Sequence, residues 1–369
     1  MHERERLDWL QLISTPGIGP VSFHRLIAKY KTAGKALAAL PDLTNRAAPM
    51  KPPPRGQCED QMALADKHGA QLIASCEAAY PKALKSVPDH PPILFLRGSA
   101  HLFEKPSVAI IGARNASGVG RKIARMLAGD LGQAGYVITS GLARGIDGAA
   151  HEAALKTGTI AVVAGGVDVI YPPEHDELTA RIARDGAVIS ECLMGSQPTA
   201  RDFPKRNRLI SGLSRGVVVV EAAARSGTLL TANFALEQGR EVFAVPGSPL
   251  DPRCQGANRL IRDGATLVET AQDVIDGLLA LNQSLPEKDS DLFDPPGGGM
   301  AEPEPAELAS LRRRVLELLS YTPLHRDEIL READAPPGFV ADALLDLVLS
   351  GEAVEHDGGR FSLRADARP

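Results

Sequence analysis

No stretch of about 18 apolar residues occurs in the chain, which removes a membrane-spanning helix from consideration. The N-terminus, MHERERLDWLQL, mixes charges of both signs and has no apolar core ending in small residues, so it does not read as a secretory signal. Cysteine is scarce: Cys58, Cys76, Cys192 and Cys254 lie far apart and form no CxxC pair. Zinc and disulfide-framework readings fail on that spacing, and reduced thiols in the cytoplasm, with no bound metal, are the expectation. No GxxxxGK[ST] segment is present, which argues against ATP hydrolysis by a P-loop. Positive charge is also lacking overall, since 41 Lys and Arg against 46 Asp and Glu leave a net of −5. An anionic partner must therefore be met by a local patch rather than a uniformly basic coat. What is present is a globular composition, 44% hydrophobic and 24% charged, on a chain of 369 residues, long enough for two or three domains.

Two stretches read as linkers. Residues 47–57 carry four prolines and no periodicity, and residues 282–305 (NQSLPEKDSDLFDPPGGGMAEPEP) are rich in proline, glycine and acid. They set the expected domains: a helical head at 1–46, a large middle at 58–281, a linker at 282–305 and a tail at 306–369. The middle alternates apolar runs with helical patterns, as parallel βαβ units do. Strands are expected at 108–111, 136–139, 160–163, 187–189, 217–220 and 242–245, with helices at 118–134, 146–156, 174–184 and 229–238. The runs are apolar throughout, which suits strands covered by helices on both faces. The run 93–96 reads as an additional edge strand. The expected fold class is α/β, an extended Rossmann-like doubly wound sheet.

Such sheets bind ligands beyond the C-terminal strand ends, at helix N-termini. The residues that follow the strands here are Gly112-Ala113-Arg114, then Ser140-Gly141 leading to Arg144-Gly145-Ile146-Asp147, Gly165-Gly166, Glu191 and Glu221. The loop Arg225-Ser226-Gly227-Thr228 opens a further helix. Together these glycines and arginines look like a phosphate-binding rim, although each glycine alone is explained by a tight βα turn. A dinucleotide cofactor is disfavoured. The first turn, GARNASGVG, departs from G-x-G-x-x-G, and Ser140-Gly141 stand where an acidic residue would hold a ribose hydroxyl. No cofactor is expected.

Residues 201–215 (RDFPKRNRLISGLSR) contain five basic residues and one acid, a net of +4 inside an acidic chain. Phe203 and Asn207 sit among the cations Arg201, Lys205, Arg206 and Arg208. Cations for phosphates beside an aromatic for a base are what a single nucleic-acid strand needs; the plainer reading is a solvated charged loop. The segments VAIIGAR (108–114), VITSGLARGIDGAAH (137–151), AVVAGGVDVIYPPEH (161–175), FPKRNRLISGLS (203–214), VVVVEAAARSGTLLTANFALEQGREVFAVPG (217–247) and QGANRLIRDGA (255–265) resemble the DNA-processing protein A family, also called Smf, in the family's order. YPKAL (80–84) and PPILFLRG (91–98) resemble its lead-in. The resemblance implies a non-enzymatic, single-stranded-DNA-binding protein of natural transformation. Such a protein protects incoming DNA and helps load the RecA recombinase, and its expected partners are RecA and a second copy of the chain. It places DNA contacts on Gly112, Arg114, Phe203, Arg206, Asn207 and Arg208. The remaining rim residues, Ser140, Gly141, Arg144, Gly145, Arg201, Lys205, Ser226, Gly227 and Thr228, complete the expected site. One departure is Ala200, where some members carry a lysine; Arg201 and Lys205 are the cations available to replace it.

His151, Asp147 and Glu221 are the candidates for catalysis. His151 reads as a helix-packing residue, and Asp147 as a cap or a partner of Arg144. The alternative function is a phosphoribohydrolase of the related Rossmann class, which uses a PGGxGTxxE segment. Here Ala-Arg-Ser precedes Gly227-Thr228, and Thr231 stands where the glutamate belongs.

The head, LDWLQLISTPGIGPVSFHRLIAKY, has two helical patterns joined by a glycine-proline turn. It resembles a SAM or helix-hairpin-helix module, whose turn can offer N–H groups to a phosphate; a purely structural module fits equally well. The tail reads as three helices and a β-wing, a winged-helix architecture. Residues 306–369 carry eight basic and twelve acidic residues, and the helix that would read duplex DNA carries Asp342 and Asp346 with no cation. That charge favours a protein-contact role.

Overall fold

The computed structural model describes residues 1–43, 50–284, 305–356 and 359–364. Two compact units emerge: residues 56–288 with Met1 form the larger, while residues 2–55 and 289–369, head and tail together, form the second.

The head consists of α1 (Glu3–Ile13), α2 (Pro20–Tyr30) and α3 (Ala33–Leu43). Gly17 turns the chain between α1 and α2 at φ 89°, a conformation that glycine alone adopts freely. Pro20 then opens α2, where its missing N–H has no partner to lose. Trp9 and Phe23 meet at 4.8 Å between ring centroids. The third helix lies beyond the two sequence patterns; its Ala33, Ala36 and Leu40 are fully buried with Leu10, Leu12 and Leu26.

The larger unit opens with α4 (Arg55–Lys67), β1 (Ala70–Ala74), α5 (Lys82–Lys85) and β2 (Ile93–Gly98). The expected strands follow within a residue or two at each end: β3 (Ser107–Ile111), β4 (Val137–Ser140), β5 (Thr159–Val162), β6 (Ala187–Ser190), β7 (Gly216–Val219) and β8 (Glu241–Ala244). Between and after them run α6 (Gly118–Gln133), α7 (Ile146–Ala154), α8 (Asp176–Asp185), α9 (Asp202–Leu213), α10 (Thr228–Glu237), α11 (Gln255–Arg262), β9 (Thr266–Leu267) and α12 (Ala271–Ser284). The sheet order is β1-β2-β6-β5-β4-β3-β7-β8-β9. Strands β3 to β9 pair parallel with one another, while β2 runs antiparallel to both β6 and β1. The run at 93–96 is thus not the edge: β1 pairs outside it, from Ala70 opposite Arg97 to Ala74 opposite Ile93.

Alternate residues of each central strand supply two cores, as a strand's two-residue period requires. Ala109, Ile111, Val217, Val219, Val242 and Ala244 share one face with α9, α10 and α11 residues such as Leu209, Ala232 and Ala257. Val108, Ile110, Val218, Val220, Phe243 and Val245 share the other with α6, α7 and α12 residues such as Leu127, Ala150 and Val274. This two-sided burial is why the runs contain no polar alternation. Strand order reverses between β3 and β7, so a ligand crevice is expected beyond their carboxyl ends.

The tail comprises α13 (Pro305–Leu318), β10 (Leu324–His325), α14 (Arg326–Glu332), α15 (Pro337–Leu349), β11 (Ala353–His356) and β12 (Arg360–Leu363). Its three-stranded sheet, β10-β12-β11, forms the wing, and Leu311, Val315, Ile329, Val340, Leu344, Leu347 and Phe361 make its core. Of the stretch expected as a linker, residues 282–284 finish α12, Pro305 begins α13, and 285–304 lie outside the described residues.

Candidate nucleic-acid interface

The carboxyl ends of β3 and β7 open onto a groove of about 870 Å³. Its walls come from Gly112 to Asn115 after β3, Ala143 and Asp147 after β4, Tyr171 after β5, Pro198, Ala200, Phe203, Pro204, Arg206 and Asn207 after β6, and Ala223 with Arg225 to Thr228 after β7. Arg253, after β8, closes one side. Four arginines (114, 206, 225 and 253) and one carboxylate, Asp147, line it, so its charge is positive within an acidic chain.

Local bonds make these loops rigid. Ser117 caps α6 by accepting from the Gly120 N–H at 2.8 Å, and Glu221 holds Ser117 in turn, accepting from its N–H at 3.0 Å and its hydroxyl at 2.5 Å. The Thr228 hydroxyl donates to the Gly112 carbonyl at 3.1 Å, which ties the loop after β7 to the turn after β3. Gly112 packs so closely on Ile146 that an added Cβ would lie 2.6 Å from its Cγ1. Gly145, at φ 80°, seats α7 directly against the Ala113 and Arg114 carbonyls.

Phe203, in the first turn of α9, is the centre of the groove's aromatic wall. The Arg114 guanidinium lies 5.0 Å from its ring centroid, Arg206 lies 5.9 Å away, and Tyr171 meets it at 5.6 Å with a tilted ring. Arg114 is exposed and makes no hydrogen bond or ion pair with a described residue; the same holds for Arg225. Arg253 is engaged by Asp251 at 2.7 Å. Beside Phe203, a small inner pocket adds Gly141, Arg144, Val163, Val169 and Pro172 to the lining.

Of the expected site residues, Gly112, Arg114, Phe203, Asn207, Ser226, Gly227 and Thr228 line the groove, and Gly141 and Arg144 line the inner pocket. Arg201 and Lys205 are exposed on α9 or at its start, with Lys205 4.0 Å from Asp202. The remainder serve the framework. Ser140 is fully buried and donates to the Ile110 carbonyl at 2.6 Å, and Gly145 lines neither cavity. Arg206 lines the groove, but its guanidinium donates to the carbonyls of Gly141 and Val162. Arg208 leaves the groove altogether and pairs with Glu191 and Asp89. Burial lowers Arg206 to about 10 from the usual arginine value, despite Asp147 opposite it.

Of the two roles its sequence position suggested, cap or partner of Arg144, Asp147 does not take the second. It accepts from the Gly141 and Ala143 N–H groups at 3.2 and 3.3 Å, while Arg144 pairs with Glu174 at 2.5 Å. Burial pushes Asp147 up to about 6, opposed by Arg206 and by the backbone donors. His151 packs inside the unit with its Nδ1 2.7 Å from the Thr159 hydroxyl, and burial pushes it down to about 3. Among the groove's cationic and aromatic residues, Arg253 and Tyr171 were absent from the sequence reading, and Arg225 was read in the rim loop without being assigned a DNA contact. All lie in loops that follow strands, so the rule that identified Arg114, carried through every βα loop, reaches them.

Residues 71–279 match the DNA recombination-mediator protein A family, residues 3–63 the DprA-like N-terminal HHH domain and residues 300–359 the DprA winged helix domain. The chain belongs to the DNA recombination-mediator protein A family. It is 38% identical to protein Smf of Escherichia coli over 315 residues, covering 84% of this chain and 82% of that protein. It is 43% identical to the DNA processing protein DprA of Bacillus subtilis over 215 residues, covering 58% of this chain and 72% of that protein. Among solved structures, that of DNA processing protein A from Streptococcus pneumoniae superposes with a TM-score of 0.62 at 36% identity, over 74% of this chain and 96% of that one. DNA processing protein A from Helicobacter pylori, whose structure describes a single-stranded DNA binding mode, superposes with a TM-score of 0.52 at 31% identity, over 57% of this chain and 96% of that one. Among the described residues no helix is long and apolar enough to cross a membrane.

Proposed function

We propose that the groove between the β3 and β7 ends binds single-stranded DNA, and that the chain acts by binding rather than by turnover. The observation that carries this reading is Arg114: an exposed cation with no hydrogen-bond or ion-pair partner among the described residues, lying over Phe203 at the point where the strand order reverses. Phosphates then meet Arg114, Arg225 and the N–H groups of the glycine turns, while a base stacks on the Phe203–Tyr171 wall. The Helicobacter pylori relative supports the choice of a single strand. The two carboxylates that turnover would draw upon are already engaged, Glu221 by Ser117 and Asp147 by backbone N–H groups, which favours binding over the phosphoribohydrolase alternative.

On this reading the chain protects DNA entering the cytoplasm during transformation and hands it to RecA, with a second copy of itself extending the bound surface. Equilibrium titration of labelled single- and double-stranded oligonucleotides tests the core of it: single strands bind more tightly, and the affinity falls as salt rises. A preference for duplex, or a salt-independent affinity, overturns it. RecA filament assembly on DNA precoated with a single-strand-binding protein, with and without this chain, tests the loading step, and light scattering of the free chain tests the dimer.

A further inference from the structure

The helix of a winged-helix domain that would enter a duplex groove is here α15, and its only charged side chains are Asp342 and Asp346. They are four residues apart, so both project from one face of the helix. Helix α2 of the head carries a matching pair of opposite sign, Arg25 and Lys29, also four residues apart. In the unit formed by head and tail the α2 pair meets two carboxylates of the tail, Asp346 and Glu355. Lys29 Nζ reaches both carboxylate oxygens of Asp346, at 3.0 and 3.3 Å, and Arg25 lies 3.6 Å from Glu355 on β11. All four side chains are about a quarter exposed, between 22% and 31%. Asp342 sits beside them, its carboxyl raised by burial and by Asp346 against the pull of Lys29 and Arg25.

We infer that α15 and β11 act as an acidic substitute for a nucleic-acid backbone: they clasp Arg25 and Lys29 of α2 and withhold the head's basic face from polyanions until the clasp opens. This surface shares no residue with the groove. The arrangement accounts for a winged helix without a single cation on its reading helix, and for its position against a helical hairpin whose family is a helix-hairpin-helix domain. Exposed ion pairs contribute little each. A clasp built from two of them therefore opens readily, as a reversible switch requires, and a phosphate backbone offers the same two cations an equivalent partner.

The test uses the full-length chain. Carbodiimide coupling joins an amine to a carboxylate only when they are in contact, so an equal mixture of ¹⁵N-labelled and unlabelled chains is treated at low salt and mapped by mass spectrometry. A Lys29–Asp346 cross-link is expected within single-isotope chains. It should disappear at 1 M salt, where the screening length is about 3 Å, and decline when a duplex oligonucleotide is added. A triple variant, Asp342→Asn, Asp346→Asn and Glu355→Gln, should bind the duplex roughly three- to tenfold more tightly at low salt through the two released cations. Adding Arg25→Ala and Lys29→Ala should remove that gain. Absence of the cross-link in the unaltered chain, cross-links only between isotopes, or a triple variant with unchanged duplex affinity each overturns the inference. Neither readout depends on Arg114, so a failed groove assignment and a failed clasp are told apart.

Discussion

Arginine 114 is the side chain whose loss should separate binding from folding. Its guanidinium is exposed, has no described hydrogen-bond or ion-pair partner, and rests 5.0 Å from the Phe203 ring, so Arg114→Ala removes a ligand contact and little else. The magnitude follows from the groove's cations. Arg114, Arg225 and Arg253 are the three with guanidinium groups available or only partly engaged. If each neutralises one phosphate of a single strand, log K falls against log salt with a slope of about −2, at about −0.7 per phosphate. Between 50 and 200 mM salt that is roughly an eighteenfold loss of affinity; without Arg114 the slope is about −1.4 and the loss roughly sevenfold. Fluorescence anisotropy of a labelled oligothymidylate at four or five salt concentrations resolves the two slopes. Arg206→Ala is the contrasting control. That side chain is buried against Asp147 and two backbone carbonyls, so its removal leaves a carboxylate in the interior and should cost about 3–5 kcal/mol of stability. If Arg114→Ala keeps both the unaltered slope and the unaltered melting temperature, the groove is not the DNA site.

Further outcomes follow from the same geometry. Phe203→Leu should lower single-strand affinity by about 1–3 kcal/mol at an unchanged salt slope, because stacking carries no net charge; a changed slope with unchanged affinity at low salt would point to a different role. His151 is held at about 3 in the folded chain against 6.5 when unfolded, so the unfolded state takes up its proton first. Its stabilising contribution is complete above pH 6.5 and is lost as the pH falls towards 3. The stability advantage of the native chain over His151→Gln in urea unfolding should then shrink by on the order of 1.4 kcal/mol per pH unit between pH 6 and 4, and a flat difference refutes this. Gly145→Ala forces a side chain into φ 80° and onto the Ala113 and Arg114 carbonyls, so a loss of about 1–3 kcal/mol in stability is expected, accompanied by weaker DNA binding. An unchanged melting curve would contradict the close packing of these turns.

The central strands were legible because burial on both faces leaves an uninterrupted apolar run, and the ligand end was legible because βα loops cluster there by topology. β1 is not legible because AQLIA is short and follows a helix closely, which makes 93–96 read as the edge. Charge counting misjudged the 201–215 segment for a different reason. Summed along the chain, its cations form one patch; wound into α9, they disperse. Arg201 and Lys205 face solvent, Arg206 turns inward to Gly141 and Val162, and Arg208 is consumed by Glu191 and Asp89. A linear sequence reports how many charges a segment holds, but whether a charge is already neutralised depends on partners more than a dozen residues away. The Asp147–Arg144 pairing failed likewise: proximity in sequence lost to two backbone donors that the turn brings closer.

The groove's two lips are far apart in the chain. One follows β3 and the other follows β7, strands that pair from Val108 opposite Gly216 to Ile111 opposite Val219, and the Thr228–Gly112 hydrogen bond joins the loops across that seam. A ribosome that has released only the first half of the larger unit has therefore made Arg114 and its glycine turn without the wall that faces them. Nascent or proteolytically shortened chains lacking β7 carry the arginine but only one lip of the groove, so under the proposed function capture of DNA is reserved for molecules whose synthesis has passed the seam and whose long-range pairing is complete.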